Sequence, residues 1–161
     1  MSESLLRTDK DFEEIYHLHV NTVFRLCFTY LKNQPDTEDA VQEVFIKLLQ
    51  YRGTFESEEH RKAWLIVTAS NYCKNHLKYW WRKRKNIDDY VETIGGSNLE
   101  IDEMMELVLA LPEKYKTVVY LYYYEGYDSK QIAKLLHRPA STIRGQLSSA
   151  RKLLKKELVT L

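Results

Sequence analysis

The stretch from Asp128 to Lys156 constrains the fold most, because its pattern indicates two amphipathic helices joined by a very short turn. Asp128, with Gln131 three residues later, resembles a capping box that starts the first helix. Pro139 ends that helix, since proline lacks a backbone donor and disfavours a helical residue before it. The second helix has Pro139 or Ala140 in its first turn. Helices joined so tightly must cross steeply, which predicts a helix-turn-helix.

The second helix of this pair has one apolar face and one polar, basic face. The apolar face recurs at spacings of four, three and four, through Ile143, Leu147, Ala150 and Leu154. The opposite face carries Ser141, Gly145, Ser148 and Lys152, flanked by Arg144, Lys155 and Lys156. In a DNA major groove arginine can contact guanine, lysine can neutralise phosphate, and small residues allow close approach. The pattern favours DNA binding; the alternative is a helical hairpin with an ordinary solvated face.

The net charge of +1 conceals a strong asymmetry along the chain. Residues 1–85 carry 14 Lys/Arg and 12 Asp/Glu, giving +2, whereas residues 86–113 carry none and eight, giving −8. Residues 114–161 carry ten and three, giving +7. The basic end coincides with the predicted helix-turn-helix, and this coincidence favours a nucleic-acid partner.

Several function classes lack their sequence signals. No apolar run approaches the roughly 20 residues of a membrane span, and the N-terminus lacks a signal-peptide pattern, so no membrane insertion is expected. Cys27 and Cys73 form no CxxC pair, which indicates buried reduced thiols and a cytoplasmic protein. No phosphate loop, metal-ligand spacing or nucleophile motif is present. We therefore expect no enzymatic activity, no catalytic or metal-binding residue and no cofactor.

Helical spacing in most segments and weak strand signals predict an all-α chain, with three helices in the N-terminal half at residues 11–31, 36–51 and about 58–83. Asp36 is expected to open the second helix after residues 33–35 close the first. The predicted inward face of the first helix comprises Phe12, Ile15, Tyr16, His19, Val23, Leu26, Cys27 and Tyr30. That of the second comprises Ala40, Val41, Val44, Phe45, Leu48 and Leu49. That of the third comprises Trp64, Leu65, Thr68, Tyr72 and Leu77.

Two polar surfaces in this half each have two interpretations. The outward face of the second helix, made by Asp39, Gln42, Glu43, Ile46 and Gln50, is either merely solvated or docks on a basic partner helix. The third helix ends in residues 78–85 (KYWWRKRK), where cations alternate with aromatic rings. Bases could stack on these rings while the cations follow the phosphates of a single strand. The alternative is a basic helix C-terminus that the helix dipole favours anyway.

Residues 86–100 are acidic, contain Gly95-Gly96-Ser97-Asn98 and offer little apolar surface, which predicts a flexible linker. The chain is thus predicted to form two small helical domains, residues 1–85 and 101–161, the second containing the helix-turn-helix. Tyr122, Tyr123 and Tyr124 could form a stacking platform, but their helical spacing favours packing in the core and at its rim.

Three segments, in this order, resemble a bacterial RNA polymerase sigma factor of the short, extracytoplasmic-function kind. Residues 36–45 (DTEDAVQEVF) are similar to the core-binding helix of that family. Residues 63–65 (AWL), 69–71 (ASN) and 74–77 (KNHL) resemble its −10 recognition and melting helix. Residues 111–113 (LPE), 125–127 (EGY), 132–133 (IA), 142–144 (TIR) and 150–151 (AR) resemble its −35-reading domain. The resemblance covers nearly the whole chain except the linker.

The resemblance implies a sigma factor that binds core RNA polymerase and directs promoter-specific transcription initiation, with promoter DNA as its second partner. Nucleotidyl transfer would belong to the polymerase. The polymerase-binding residues it implies are Asp39, Gln42, Glu43 and Ile46. Many members of the family are held by an anti-sigma factor, and no residue here identifies such a partner.

The resemblance also implies two sets of promoter-binding residues. Those for the −10 element are Arg61, Trp64, Asn71, Lys74, Lys78, Trp80 and Arg82, and the loop 52–60 would hold a flipped base. Those for the −35 element are Ser141, Thr142, Arg144, Gly145, Ser148, Arg151, Lys152 and Lys155. The chain departs from the family pattern at His137, where glycine is usual, and at Val67, Gln146, Ser148 and Ser149. These departures bear on which promoters are read.

Two rival functions remain open on the residues alone. An ordinary helix-turn-helix regulator would bind operator DNA without polymerase, usually as a dimer, but no dimerising coiled coil or ligand pocket is indicated. It would also leave the segment 36–45 without a purpose. An enzyme is the second rival, and no catalytic motif supports it.

Overall fold

The computed structural model describes residues 9–83 and 103–160, and the side chains of residues 10–79 and 105–155 within them. Its helices are α1 (Asp9–Leu31), α2 (Gln34–Gln50), α3 (Glu58–Lys83), α4 (Glu103–Ala110), α5 (Glu113–Tyr123), α6 (Ser129–Leu136) and α7 (Ala140–Thr160). These described residues contain no strand, so the predicted all-α class is confirmed. The chain divides into two compact units, residues 1–97 and 98–161. The predicted linker 86–100 lies outside the described residues, and its flexibility stays a prediction.

In the first unit α1, α2 and α3 pack against one another around a shared apolar core. The predicted inward face of α1 is confirmed: Ile15, His19, Val23, Leu26, Cys27 and Tyr30 are buried, with Phe12 and Tyr16 half-buried. Cys27 and Cys73 are both buried and neither forms a disulfide, as expected. Along α2, Ala40, Val41, Val44, Phe45 and Leu48 are buried as predicted.

Two predictions about α2 are wrong. Leu49 is 42% exposed rather than inward, because it lies seven residues after Gln42 and therefore on nearly the same side as that exposed residue. The helix begins at Gln34, not Asp36, because the Asn33 side chain caps it by accepting the Asp36 backbone N–H at 2.9 Å. Pro35 fits the first turn, where a missing backbone donor leaves no helical hydrogen bond unmade.

The predicted inward face of α3 is also partly wrong. Of the predicted inward residues, Trp64, Thr68, Tyr72 and Leu77 are only half-buried. The buried positions are Ala63, Leu65, Ile66, Ala69, Ser70 and Cys73. Small side chains predominate in this set because α3 packs against both α1 and α2. The larger rings are displaced to the edges of the contact, where they remain partly in solvent.

In the second unit the core joins α4, α5, α6 and α7. The predicted apolar face of α7 is confirmed, since Ile143, Leu147, Ala150 and Leu154 are all buried. Tyr124 is half-buried, packs against the core and stacks on Tyr120 at 5.2 Å between ring centroids. This agrees with the packing predicted for the tyrosine run. Tyr123, in the same tyrosine run, lies at the rim of the core and is 41% exposed.

The helix-turn-helix is present with the predicted cap. The Gln131 backbone N–H donates to Asp128 Oδ1 at 2.8 Å, and the Asp128 backbone N–H donates to Gln131 Oε1 at 2.9 Å. α6 ends at Leu136, and His137 adopts the left-handed conformation with φ 56° and ψ 47°. The Arg138 backbone N–H donates to the Ala133 carbonyl at 3.0 Å, which closes the turn.

Two positive-φ residues in this unit form a matched pair for testing backbone strain. His137 is strained at φ 56°, so His137→Gly should stabilise the protein by about 0.5–1 kcal/mol after the entropic cost of glycine is subtracted. Gly126 has φ 76° with no atom within 4 Å of an added Cβ, so Gly126→Ala should destabilise by about 1 kcal/mol through backbone strain alone. Urea unfolding followed by circular dichroism measures both. A less stable His137→Gly protein would show that the histidine side chain outweighs the strain.

Candidate polymerase and nucleic-acid interfaces

The outward face of α2 carries acidic, amide and aliphatic side chains in one continuous stripe. Asp39 and Gln42 are exposed, and Ile46 is 43% exposed, so the predicted outward placement of these three is confirmed. Leu49 joins them, and positions 39, 42, 46 and 49 follow the spacing of three, four and three that defines the seam of a coiled coil. The sequence prediction missed Leu49, although this same spacing could have found it. We call these four residues the α2 stripe.

Glu43 differs from its neighbours in the predicted polymerase-binding set because it is half-buried towards α3. Burial, together with the negative charges of Glu43 and Asp39, raises the pKa of the Tyr72 hydroxyl. Glu43 thus lies close enough to α3 to act on Tyr72, and it also borders the α2 stripe. A charge change at Glu43 would therefore disturb the unit itself, whereas one at Asp39 would not.

The loop 51–57 before α3 is held by a cluster of aromatic rings. Tyr51 stacks on Phe55 at 5.1 Å, and Trp64 contacts both rings at 4.9 Å and 5.9 Å between centroids. Gly53 makes this possible, because a Cβ there would lie 2.5 Å from the Tyr51 ring. Ser57 Oγ accepts the His60 backbone N–H at 3.1 Å and so caps α3. Trp64, predicted to touch the −10 strand, is the rigid support of the loop predicted to hold a flipped base.

Arg61, a second predicted −10 residue, lies within the same cluster. Its Nη1 donates to Glu58 Oε1 at 2.6 Å, and its guanidinium lies 5.2 Å from the Phe55 ring centroid. Glu58 also accepts from Nε2 of buried His19, which links the start of α3 to α1. Burial alone would raise the pKa of Glu58, but hydrogen bonds from His19 and Arg61 outweigh it and lower that pKa.

The remaining predicted −10 residues all belong to α3. Asn71 and Lys78 are exposed and Lys74 is half-buried, while the side chains of Trp80 and Arg82 lie outside the described residues. A groove of about 460 Å³ runs between α2 and α3, lined by Lys47, Thr68, Asn71, Tyr72, Asn75, His76 and Tyr79. Tyr79 is 58% exposed and was absent from the predicted set, although it belongs to the basic and aromatic run at the end of α3.

The predicted −35 residues lie on the exposed face of α7. All eight are exposed: Ser141, Thr142, Arg144, Gly145, Ser148, Arg151, Lys152 and Lys155. Arg151 also contacts α5: its Nε donates to the Tyr123 hydroxyl at 3.3 Å, and its guanidinium lies 5.3 Å from the Tyr122 ring centroid. The hydrogen bond to Tyr123 raises the pKa of Arg151, which therefore stays charged.

Each of the two units matches a family model of known proteins. Residues 15–86 match the family model described as Sigma-70 region 2, and residues 101–154 match Sigma-70, region 4. The chain is 25% identical over 173 aligned positions to the ECF RNA polymerase sigma factor SigW of Bacillus subtilis, covering 93% of this chain and 90% of SigW. It is 29% identical over 147 positions to the RNA polymerase sigma factor SigV of the same organism, covering 87% and 86%.

A solved structure has the same fold. It is the sigma factor RpoE in complex with the anti-sigma factor NepR from Bartonella quintana, with a TM-score of 0.74 and 20% identity over 92% of this chain and 97% of that one. The two family models and the sequence relatives show that the chain belongs to the extracytoplasmic-function group of the sigma-70 family. It is thus an alternative sigma factor, a DNA-binding protein that directs transcription initiation by RNA polymerase.

The described residues contain neither a membrane-spanning helix nor a metal-binding cluster. No helix among residues 9–83 and 103–160 is long and apolar enough to cross a membrane. Within the same ranges, no three His, Cys, Asp or Glu side chains are grouped so as to hold a metal ion.

The His19–Glu58–Arg61 cluster predicts a pH-dependent contribution to stability. Because the folded-state pKa of Glu58 is lowered, its contribution is present above the unfolded pKa, near 4.5, and is lost as pH falls through the folded value. Glu58→Gln should therefore unfold more easily than wild type at about pH 7, and the difference should vanish in strong acid. Urea unfolding from about pH 7 to pH 3 measures it. Glu56→Gln, in the exposed loop, is the control and should cost little; a pH-independent Glu58→Gln loss would contradict the cluster's role.

Proposed function

We propose that the first unit binds core RNA polymerase through the α2 stripe and Glu43, and contacts the −10 element through α3 and the preceding loop. The second unit contacts the −35 element through the exposed face of α7. The observation that carries this proposal is the α2 stripe: two aliphatic side chains flanked by polar and acidic ones face solvent in a coiled-coil spacing. The core of the unit does not use them.

The chemistry of the α2 stripe specifies the kind of partner. Ile46 and Leu49 each expose more than two fifths of their surface and offer apolar area to a partner, while Asp39 offers a negative charge. A helical partner with apolar residues at the same spacing and basic residues beside them would complement both. A basic coiled coil of the largest polymerase subunit, which the family resemblance implies, meets this description.

The α3 side of the first unit suits a single DNA strand. Asn71 and Lys78 are exposed beside the exposed ring of Tyr79, so amide, cation and stacking surface follow one another along the helix. The loop 51–57 is already ordered by the Tyr51–Phe55–Trp64 cluster, which reduces the entropic cost of holding an unstacked base against it. These features support contact with a melted −10 element.

The second unit suits duplex DNA. Its helix-turn-helix presents α7 with small residues at the centre of the exposed face and cations at its edges. Gly145 and Ser148 allow close approach to base edges, and Arg144 can make a bidentate contact to guanine. This arrangement supports major-groove contact with the −35 element.

The same proposal also indicates where the protein acts and which further partner it could bind. Polymerase supplies nucleotidyl transfer, so this chain itself would perform no catalysis. Because it would work together with polymerase, it would act in the cytoplasm. The RpoE chain of similar fold is in complex with an anti-sigma factor, which makes a protein of that class a partner to test here. The rival function, an operator-binding regulator, would bind duplex DNA tightly without polymerase.

Charge reversal on the α2 stripe tests the polymerase contact. Asp39→Lys should change the free energy of unfolding by no more than about 0.5 kcal/mol, because the residue is exposed. Against a basic partner helix it replaces attraction with repulsion, which costs several kcal/mol. The variant should melt normally yet fail to co-purify with core polymerase and fail to direct transcription in a reconstituted reaction.

The matched control is Glu14→Lys, which reverses another exposed acid in the same unit but on α1. It should retain both polymerase binding and transcription. If Asp39→Lys binds polymerase as well as Glu14→Lys does, the α2 stripe is only a solvated surface. Tight binding of the wild type to duplex DNA without polymerase would then favour the operator-binding regulator.

Two substitutions on α7 separate base recognition from phosphate contact. Arg144→Ala should remove a base-edge contact worth about 1–3 kcal/mol and relax the −35 sequence preference. Lys155→Ala should instead weaken binding to all promoters alike and make the salt dependence shallower. Holoenzyme affinities for promoter duplexes with systematic −35 base changes, measured at several salt concentrations, distinguish the two. Equal and sequence-independent losses would argue against base recognition by Arg144.

A further inference from the structure

The end of α5 contacts the exposed side of α7 through a tyrosine–arginine cluster. Arg151 donates its Nε hydrogen to the Tyr123 hydroxyl at 3.3 Å, and its guanidinium lies 5.3 Å from the Tyr122 ring centroid. The two tyrosine rings meet edge to face, with 5.0 Å between centroids and 70° between planes. Tyr123 and Arg151 are 28 residues apart and both exposed, so the contact joins two helices at the surface.

Arg151 belongs to a line of exposed residues along one side of α7. Arg144, Ser148, Arg151 and Lys155 are spaced by four, three and four residues, which brings them to the same side of a helix. Arg144 and Arg151 are therefore separated by about 10 Å along the helix axis. This spacing lets one cation reach a base edge while the other reaches the phosphate backbone beside it.

The tyrosine contacts determine which guanidinium donors remain available to a ligand. Arginine has five N–H groups, and the Tyr123 hydroxyl accepts the one on Nε. The two terminal nitrogens can still present a parallel pair of donors to a phosphate. A guanidinium held between a hydroxyl and a ring face has also lost part of the rotamer freedom that a phosphate contact would otherwise have to remove.

We propose that Tyr123 is a positioning residue that holds Arg151 ready to bind a DNA phosphate next to the −35 element. This inference rests on the proposed function of α7 and adds a residue from α5 to its DNA-binding surface. Tyr123 acts through Arg151 and carries no base information, so its contribution is independent of promoter sequence. The ring of Tyr122 supports the same guanidinium from a second side.

Tyr123→Phe tests the proposal, because it removes the hydroxyl and keeps the ring. Holoenzyme reconstituted with the variant should bind a promoter duplex about three- to tenfold more weakly, the usual effect of freeing one long side chain. The probe is a duplex from a promoter mapped by sequencing the transcripts of the wild-type holoenzyme. The loss should be the same for duplexes with altered −35 bases, and the melting temperature of the free protein should stay unchanged.

A double-mutant cycle shows whether Tyr123 acts through Arg151. Arg151→Ala should weaken binding and make the slope of log K against log salt shallower by about 0.9, as expected for one lost phosphate contact. In that background Tyr123→Phe should have no further effect. The control is Tyr115→Phe, which removes a hydroxyl near the opposite end of α5 and should leave affinity unchanged.

The outcomes separate this inference from the proposed function. If Arg151→Ala weakens binding but Tyr123→Phe does not, or if Tyr123→Phe costs the same with and without Arg151, the positioning role is wrong and −35 binding by α7 stands. If neither Arg144→Ala nor Arg151→Ala affects DNA binding, the exposed face of α7 is not the DNA interface, and both proposals fail.

Discussion

Close packing of α3 against α1 and α2 is the constraint on which the first unit depends. The buried positions of α3 are mostly small, including Ala63, Ala69 and Ser70, so the helices can approach closely. This close packing buries the apolar sides of α1 and α2 inside the unit. The opposite side of α2 is then left in solvent, with Ile46 and Leu49 exposed. The candidate polymerase surface exists because the internal packing is complete without it.

The same packing explains why aromatic residues of α3 lie at the surfaces that we propose for the −10 element. Trp64 and Tyr72 are too large for the close contact and remain half-buried at its edges. Trp64 there supports the loop before α3, and Tyr72 lines the groove between α2 and α3. One steric requirement thereby orders the loop that we propose for the −10 strand and shapes the groove beside it.

The second unit relies on local chemistry to a greater extent. The reciprocal cap at Asp128 and Gln131 starts α6, and the left-handed His137 ends it. α7 then packs its four apolar residues on the core and turns its polar side outward. The link between Tyr123 and Arg151 joins this outward side to α5, so the proposed DNA-binding surface draws on residues from two helices.

The sequence by itself determined those features that depend on near neighbours along the chain: the helical spacing, the Asp128–Gln131 cap and the apolar face of α7. It also predicted the outward direction of Asp39, Gln42 and Ile46, because helical periodicity specifies which residues share a side. Tertiary structure decided what periodicity leaves open. The packing of α3 against two helices selected small residues over Trp64 and Tyr72, and the fold of each unit paired His19 with Glu58 and Arg151 with Tyr123. Such choices depend on the sizes of side chains that are distant in sequence and meet only in the folded protein.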